Sequence, residues 1–240
     1  MTLLPNIPTG CKSIDNALGG GIPPESVSLI YGEAETGKTT LSIQCAVNCA
    51  EMGYKTLFVD CDATFSAHRL SQIASGGLNK IAEYILLMKP SNFHEQGVVI
   101  DHMAEYITKN FGLVIFDTIT SLYRSEVSEH PEKTFKLNRE LNRQVAALAQ
   151  VAKTHKIAVL MTSQVRSVIN DIYAEVEPVG TRVLKFWADT IIAMKPTENS
   201  KIIKVLLEKT PKETSRKSQP LTCYLRIDEK GISENSPHQP

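Results

Sequence analysis

The sequence predicts an α/β fold with a mostly parallel central sheet, helices on its faces and antiparallel strands at its C-terminal edge. Short apolar runs alternate with longer stretches of helical periodicity through most of the chain, which is typical of strand–helix–strand units. One apolar run leads directly into a glycine-containing turn that has the spacing of a phosphate-binding loop. Past residue 180 the apolar runs are separated only by short polar turns, as in hairpins.

The length and charge of the chain limit the classes of protein to consider. The 240 residues fit one domain over 1–233 followed by a flexible polar tail over 234–240. Lysine plus arginine and aspartate plus glutamate each number 26, and this balance excludes a strong overall attraction to nucleic acid or anionic membranes. No apolar run reaches the length of about 18 residues that a membrane-spanning helix needs. We therefore expect a cytoplasmic protein without membrane contact.

The five cysteines form no C-x-x-C pair, and none stands at zinc-site spacing from a histidine. Cys45 and Cys49 lie four residues apart on one predicted helix, where core packing is favoured over a metal site. Reduced thiols inside the cell are the expectation that follows.

The strongest motif follows the first predicted strand, residues 26–31, and reads GEAETGKT, which fits G-x-x-x-x-G-K-[ST]. Its glycines let backbone N–H groups converge on phosphate oxygens, Lys38 reaches the β- and γ-phosphates, and Thr39 can ligate Mg²⁺. A helix over 39–53 follows and adds its positive N-terminal end to the anion site. The candidate nucleotide-binding residues are Gly32, Glu33, Ala34, Glu35, Thr36, Gly37, Lys38, Thr39 and Thr40.

Strands and helices continue to alternate after this loop. Apolar runs predict strands over 55–62, 83–89, 112–117 and 157–164. Helical periodicity and helix-end signals predict helices over 68–77, from a cap at Asn92 and Glu95 through Ile107, and over 136–155. Three antiparallel strands are predicted over 188–196, 200–210 and 221–228.

Several of these strands end on polar side chains, and in parallel α/β sheets ligands bind at the carboxyl ends of strands. Asp117 follows a wholly apolar strand and is placed to hold Mg²⁺, with the capping of a turn as the alternative. Asp60 and Asp62 end the preceding long strand and project to the same side, so either can orient an attacking water. Gln164 ends another strand with an amide that can hydrogen-bond to a γ-phosphate.

Four segments together resemble the RecA-type recombinases of archaea and eukaryotes. They read TGCKSIDNALGGGIP, FVDCDATFSAHRL, LVIFDTITSLYRSE and LMTSQV. The likeness covers roughly residues 8–233, and KPSNFHEQ and ITSLYRSE resemble in particular the family's short archaeal paralogues. The resemblance implies a RecA-like P-loop ATPase core, with ATP and Mg²⁺ as cofactors and DNA recombination as the process served.

For single residues, the resemblance implies that Lys38 contacts the ATP phosphates and that Thr39 and Asp117 hold Mg²⁺. It places Asp62 at the catalytic carboxylate and Gln164 at the γ-phosphate sensor. The full recombinases carry Glu at position 62, and Asp is shorter by one methylene, about 1.5 Å, against the reach that a general base needs. Slow ATP hydrolysis is therefore expected.

The resemblance also places Arg69 and Gln72 near adenine, where an arginine can stack on the purine, with ordinary exposed helix surface as the alternative. The two loops that line DNA in the family correspond to 124–136 and 165–179. Both carry acids as freely as bases, whereas binding to phosphates needs lysine and arginine. We expect weak binding to single-stranded DNA, with bases stacking on side chains such as Tyr173.

The segment before the first core strand is short. It has about 25 residues, so the family's N-terminal DNA-binding domain is expected to be absent. The Phe-x-x-Ala tether through which these recombinases polymerise is also missing from the opening MTLLPNIPTG. A monomer or dimer is therefore expected rather than a filament.

The leading functional hypothesis is an ATP-binding accessory protein of DNA repair and homologous recombination. It predicts a nucleoid-associated protein that binds single-stranded DNA weakly and modulates the main recombinase of the RadA type. Two alternatives remain: an autonomous DNA-dependent ATPase that performs strand exchange, and a regulatory ATPase similar to KaiC. DNA-stimulated turnover separates the two alternatives from each other, and filament formation separates the first of them from the leading hypothesis.

Overall fold

The computed structural model describes residues 4–166, 177–178, 180–211 and 221–235. The strands are β1 (Ser26–Gly32), β2 (Lys55–Asp60), β3 (Ile85–Met88), β4 (Phe111–Asp117), β5 (Ala158–Arg166), β6 (Glu177–Pro178), β7 (Thr190–Pro196), β8 (Ile202–Lys209), β9 (Leu221–Asp228) and β10 (Gly231–Glu234). The helices are α1 (Lys12–Leu18), α2 (Lys38–Glu51), α3 (Ala67–Ile73), α4 (Leu78–Ala82), α5 (Phe93–Asp101), α6 (Met103–Tyr106), α7 (Ser121–Glu129), α8 (Thr134–His155) and α9 (Thr181–Trp187).

The strands form one twisted sheet whose order is β10-β9-β8-β7-β1-β5-β4-β2-β3, with β6 paired to the end of β5. The neighbours from β7 to β3 in this order are parallel. From β7 to β10 the neighbours are antiparallel. The predicted fold class, a mostly parallel sheet extended by C-terminal antiparallel strands, is therefore confirmed.

Helices cover both faces of the sheet because its central strands are apolar on both sides. Every residue of β1 and of β4 is buried. One hydrophobic core joins the sheet to α5 through α9, and a second joins the other face to α1 through α4. Along α8 the apolar face predicted from periodicity is buried at Leu137, Leu141, Val145, Leu148 and Ala152. Among the helices of the described ranges, none is long and apolar enough to cross a membrane.

Local hydrogen bonds explain where several predicted elements end. Asn92 caps α5 by accepting from the Glu95 N–H at 2.8 Å, as predicted. The single helix expected from there through Ile107 is interrupted at His102, so α5 and α6 are separate. Strand β2 ends at Asp60, two residues early, because the Asp60 carboxylate accepts from the N–H groups of Thr64 and Phe65 and turns the chain.

Other elements were not predicted at all. The stretch 124–136, expected as a DNA-facing loop, instead contains most of α7, a short 3₁₀ helix and the start of α8. Of the second expected loop, 165–179, only 165–166 and 177–178 lie among the described residues, and Tyr173 lies outside them. The last strand, β10, includes Glu234, which was predicted to start the tail, and its carboxylate accepts from Ser13.

The first and last described segments both attach to α2 through Gln44. Its amide nitrogen donates to the carbonyl oxygens of Thr9, at 2.7 Å, and Ile232, at 2.9 Å. Its amide oxygen accepts from the N–H of Ile232 at 2.8 Å. Ile7 is buried and pairs with Ile22 in a short antiparallel bridge. The segment before β1 is therefore packed against the body of the sheet.

Candidate nucleotide-binding site

The phosphate loop connects β1 to α2, as its sequence predicts. Gly37 caps the helix in the left-handed region, with φ 88° and ψ 16°. A side chain at Gly32 would place its Cβ 2.2 Å from the Met194 carbonyl oxygen on the neighbouring β7, so this position accepts only glycine. The two glycines of the motif are thus required by a close backbone approach and by a positive φ.

Lys38 is the first residue of α2, and its side chain is buried against the loop. Its ammonium donates to the Glu33 carbonyl oxygen, which also accepts from the Thr36 hydroxyl at 2.9 Å. Burial lowers the pKa of Lys38, while the negative charges of Asp117, Asp62 and Glu33 oppose that shift. Within the described ranges no carboxylate lies in ion-pair contact with this ammonium. A buried cation in this state favours an anionic ligand.

Asp117 ends β4 and is fully buried. Its Oδ1 accepts from the Thr162 hydroxyl, whereas its Oδ2 is buried with no hydrogen-bond partner among the described residues. Burial raises the pKa of Asp117, and the hydroxyls of Thr162 and Thr39 partly oppose the rise. A carboxylate oxygen that has no partner in the described ranges, on a side chain close to the Thr39 hydroxyl, fits the oxygen ligands that Mg²⁺ takes.

The carboxylates of Asp60 and Asp62 have different partners in the structure. The strand-end pattern allowed either of them, and the resemblance favoured Asp62. The Asp60 carboxylate is used by the turn after β2 and by an ion pair with Lys89 at 3.4 Å. Asp62 lies beyond the strand end, and its Oδ2 accepts from the Thr118 hydroxyl at 3.2 Å and from the Gln164 amide at 3.4 Å. Asp62 is therefore the acid that meets the other candidate residues.

Gln164 lies near the end of β5, next to the phosphate loop, because Gly32 of β1 is its partner in the sheet register. Its amide oxygen accepts from the Arg124 guanidinium at 2.7 Å. Arg124, an exposed residue of α7, was predicted only as part of a DNA-facing loop. No sequence signal links it to Gln164, since 40 positions separate the two.

Arg69 and Gln72 lie on α3 near the start of α2, and their side chains hydrogen-bond to other residues of the chain. The Arg69 guanidinium donates to the carbonyl oxygens of Asp228, at 2.6 Å, and Glu229, at 2.8 Å, in the turn between β9 and β10. It also contacts the Thr40 hydroxyl at 3.5 Å and the Gln72 amide oxygen at 3.2 Å. Arg69 is thus near the start of α2, and its contact with adenine stays a prediction.

The fold brings most of the predicted site residues together at the carboxyl-terminal ends of the parallel strands. Three features lie at the carboxyl ends of neighbouring strands: a loop with a buried ammonium, a carboxylate with one oxygen that has no partner in the described part of the chain, and an acid bonded to an amide. Such a set can bind a polyphosphate with a hard cation and hold a water near its terminal phosphate.

Comparisons with known proteins give a consistent result. The sequence pattern of the Rad51 family matches residues 2–235. The chain is 32% identical over 196 residues to the DNA repair and recombination protein RadB of Methanococcus maripaludis strain C5, covering 82% of this chain and 87% of that protein. It is 34% identical over 196 residues to RadB of Methanococcoides burtonii, covering 82% and 85%. A crystal structure of the RadB recombinase superposes with a TM-score of 0.80 at 30% identity, covering 96% of this chain and 100% of that one.

Proposed function

Because the chain belongs to the Rad51 family, and within it to the RadB group, we propose that it is an ATP-binding accessory protein of DNA repair and homologous recombination. Family membership confirms the resemblance that the sequence motifs indicate. The observation that supports the ATP-dependent part most strongly is the buried Lys38 ammonium, which bonds to the backbone of its own loop and has no carboxylate in ion-pair contact among the described residues.

ATP and Mg²⁺ are the ligands that the site fits. Lys38 and the loop N–H groups would bind the phosphates, and Thr39 with Oδ2 of Asp117 would hold the cation. The cation, when bound, neutralises charge on the β- and γ-phosphates. Asp117 is buried at the end of β4 and its Oδ1 is held by the Thr162 hydroxyl, so the protein orients the carboxylate before any ligand arrives.

Asp62 and Gln164 take the roles of water-orienting carboxylate and γ-phosphate sensor in this proposal. Asp62 is half-buried and held by two donors, the Thr118 hydroxyl and the Gln164 amide. Its short side chain supports slow hydrolysis, because a general base must reach the water at about 2.6–3.2 Å. ATP then acts mainly as a conformational signal, read where β5 ends.

Contact with DNA is proposed to be weak and to favour single strands. The charged side chains of the stretch 124–136 are balanced, with three cations and three glutamates. They are Arg124, Lys133 and Lys136 against Glu126, Glu129 and Glu132. Because counterion release requires a net excess of cations at the phosphates, this surface supports modest affinity.

A main recombinase of the RadA type is the partner we propose. Among the described residues, β3 pairs only with β2 and forms the edge of the sheet. It carries two exposed leucines, Leu86 and Leu87. An open strand edge with apolar side chains suits an added strand from another protein. The chain itself is proposed to remain a monomer or dimer, and its nucleoid-associated cytoplasmic location stays a prediction.

The experiment that tests this function is a pull-down of purified RadA-type recombinase with this protein, with Mg-ATP, with Mg-ADP and without nucleotide. We expect capture that depends on ATP and disappears in Lys38→Ala. The solved relative is described as a recombinase, which makes autonomous strand exchange the second candidate. Strand exchange by this protein alone, without the partner, would favour that candidate and contradict the accessory role.

A further inference from the structure

The Gln164 side chain lies between the exposed Arg124 guanidinium and the half-buried Asp62 carboxylate. Its amide oxygen accepts from Arg124 Nη1 at 2.7 Å, and its amide nitrogen donates to Asp62 Oδ2 at 3.4 Å. The same Asp62 oxygen accepts from the Thr118 hydroxyl at 3.2 Å. Arg124 comes from α7, Gln164 from β5 and Asp62 from the loop after β2, so the contacts among them exist only in the folded chain.

The chemistry of the two neighbours determines which way the amide faces. A guanidinium has only donors, and an ionised carboxylate has only acceptors. An amide placed between them must therefore turn its oxygen to Arg124 and its NH₂ group to Asp62. The reverse orientation would place N–H groups against N–H groups and oxygen against oxygen, losing both hydrogen bonds.

Without Arg124, the Gln164 amide would prefer this orientation much less strongly. The last torsion of a glutamine side chain is broad and roughly two-fold, so an amide with one partner samples several orientations. Asp62 also retains the Thr118 hydroxyl as a donor and does not depend on Gln164 alone. Arg124 supplies the shorter of the two contacts that Gln164 makes, 2.7 Å against 3.4 Å, and therefore the stronger restraint.

We propose that Arg124 is a positioning residue that holds the Gln164 amide with its N–H groups toward the nucleotide site. This inference rests on the proposed function, because it concerns the γ-phosphate sensor of the same site. A sensor must offer a donor to the terminal phosphate, and Arg124 ensures that the nitrogen rather than the oxygen of the amide faces that way. In this proposal, discrimination of ATP from ADP depends on Arg124, which acts through Gln164 and does not itself contact either nucleotide.

The test measures the dissociation constants of fluorescent ATP and ADP analogues with Mg²⁺ for the full chain and a donor–acceptor series at position 124. Arg124→Lys keeps a donor and should retain most of the preference for ATP. Arg124→Ala should lower the preference by about threefold to tenfold, the value of a typical hydrogen bond. Arg124→Glu, which can only accept, should lower it at least as much. ADP affinity should stay within about twofold throughout, since ADP lacks the sensed phosphate.

Two controls separate positioning from general damage. Arg139→Ala removes another exposed arginine, from α8, and should change neither dissociation constant. In a Gln164→Ala background, Arg124→Ala should have no further effect, because it acts through the amide. Additive effects of the two substitutions, or equal losses of ATP and ADP affinity in Arg124→Ala, would overturn the inference.

The same measurements distinguish failure of the inference from failure of the proposed function. If the unsubstituted protein binds ATP and ADP equally, γ-phosphate sensing is absent and the inference is wrong, while ATP binding stands. If it binds neither nucleotide, both the proposed function and the inference are wrong. Thermal melting of each variant checks that the fold is intact.

Discussion

The Thr162 hydroxyl donates to Oδ1 of Asp117, across two neighbouring parallel strands, whereas Oδ2 of the same carboxylate has no hydrogen-bond partner among the residues that the structure describes. The hydrogen bond offsets only part of the cost of burying a charge, since the pKa of Asp117 remains raised by burial. Ionisation of the Asp117 carboxyl is therefore costly without a ligand, and a cation bound at Oδ2 would favour the ionised form.

Replacement of Asp117 by Asn should stabilise the protein in the absence of nucleotide and metal. The raised pKa means that the folded state binds a proton more tightly than the unfolded state does. Stability contributed by this group is therefore greatest at acid pH and is lost as pH rises through the raised pKa. We expect Asp117→Asn to raise the melting temperature at pH 7, by about 2–4 °C for each kcal/mol gained.

The same variant should lose Mg²⁺-dependent ATP binding, so stability and binding change in opposite directions. Thr162→Val, which removes the donor to Oδ1, is the matched variant and should lower the melting temperature instead. A drop in melting temperature for Asp117→Asn with metal-free protein would mean that the attraction to Lys38 outweighs the cost of burial.

Lys38→Ala should abolish binding of Mg-ATP. No other cation of the loop is available to the phosphates, and loss of one partner of a buried charge pair costs about 3–5 kcal/mol, which is 100-fold or more in affinity. Titration of a labelled ATP analogue measures the effect, with Lys153→Ala on the exposed face of α8 as the control. Affinity like that of the unsubstituted protein in Lys38→Ala would refute the site assignment.

Hydrolysis should be slow, on the order of minutes per turnover, against an enzyme median of about 10 s⁻¹. Asp62→Glu extends the carboxylate by one methylene and should raise the turnover number by about tenfold. Asp62→Asn keeps the size of the side chain but removes the base and should reduce turnover to the background rate. Single-turnover assays of phosphate release measure these rates. If Asp62→Glu hydrolyses ATP more slowly than the unsubstituted protein, the backbone is already adapted to aspartate and the distance argument is wrong.

DNA binding should be weak, steeply dependent on salt and stronger for single strands than for duplex. The balanced charges of the stretch 124–136 are the reason. Removing two exposed acids, with Glu129→Gln and Glu132→Gln together, should tighten binding by several-fold at low salt, about 50 mM. Fluorescence anisotropy with a labelled oligonucleotide at several salt concentrations tests this. Nanomolar binding to duplex DNA at physiological salt is the contrary result.

The protein should not form long helical filaments with ATP and single-stranded DNA. Growth of a filament requires each subunit to offer a segment to a pocket on its neighbour. Here the segment before β1 is fastened to its own subunit, with Ile7 buried and Thr9 bonded to Gln44. Electron microscopy of the protein alone with ATP and DNA is the measurement, and long regular filaments would contradict the prediction.

Binding to the RadA-type recombinase should instead use the open edge at β3. Leu86→Asp should reduce ATP-dependent capture of the partner by about tenfold or more, since it places a charge in an apolar contact. Leu221→Asp is the matched control, because Leu221 is 44% exposed and Leu86 is 41% exposed. Equal capture by both variants would place the interface elsewhere.

Local sequence predicted those parts of the site that depend on neighbouring residues in the chain. The phosphate loop, Asp117 and Gln164 could be predicted because each lies at or near the carboxyl end of a strand that its own apolar residues identify. The strand-end pattern alone left Asp60 and Asp62 as alternatives, and only the family resemblance selected Asp62; the turn bonds that occupy Asp60 depend on the folded chain. Helix α7 was missed because its nine residues are mostly polar, with only Tyr123 buried. Contacts over long separations carry no local signal, and Arg124 with Gln164 is the clearest case.

The attachment of β10 to α2 has a consequence for the order of events during protein synthesis. The phosphate loop emerges from the ribosome early, yet Gln44 is bonded to Ile232, 188 positions later. Gly37 also lies against this late segment: a Cβ there would come within 2.7 Å of Ile227 and 3.1 Å of Ile232. A nascent chain that carries the whole motif but not β10 therefore lacks the packing behind its loop. We therefore expect the loop to reach its final packing only once Ile232 has joined the fold, so that an incomplete chain binds nucleotide more weakly than the completed protein.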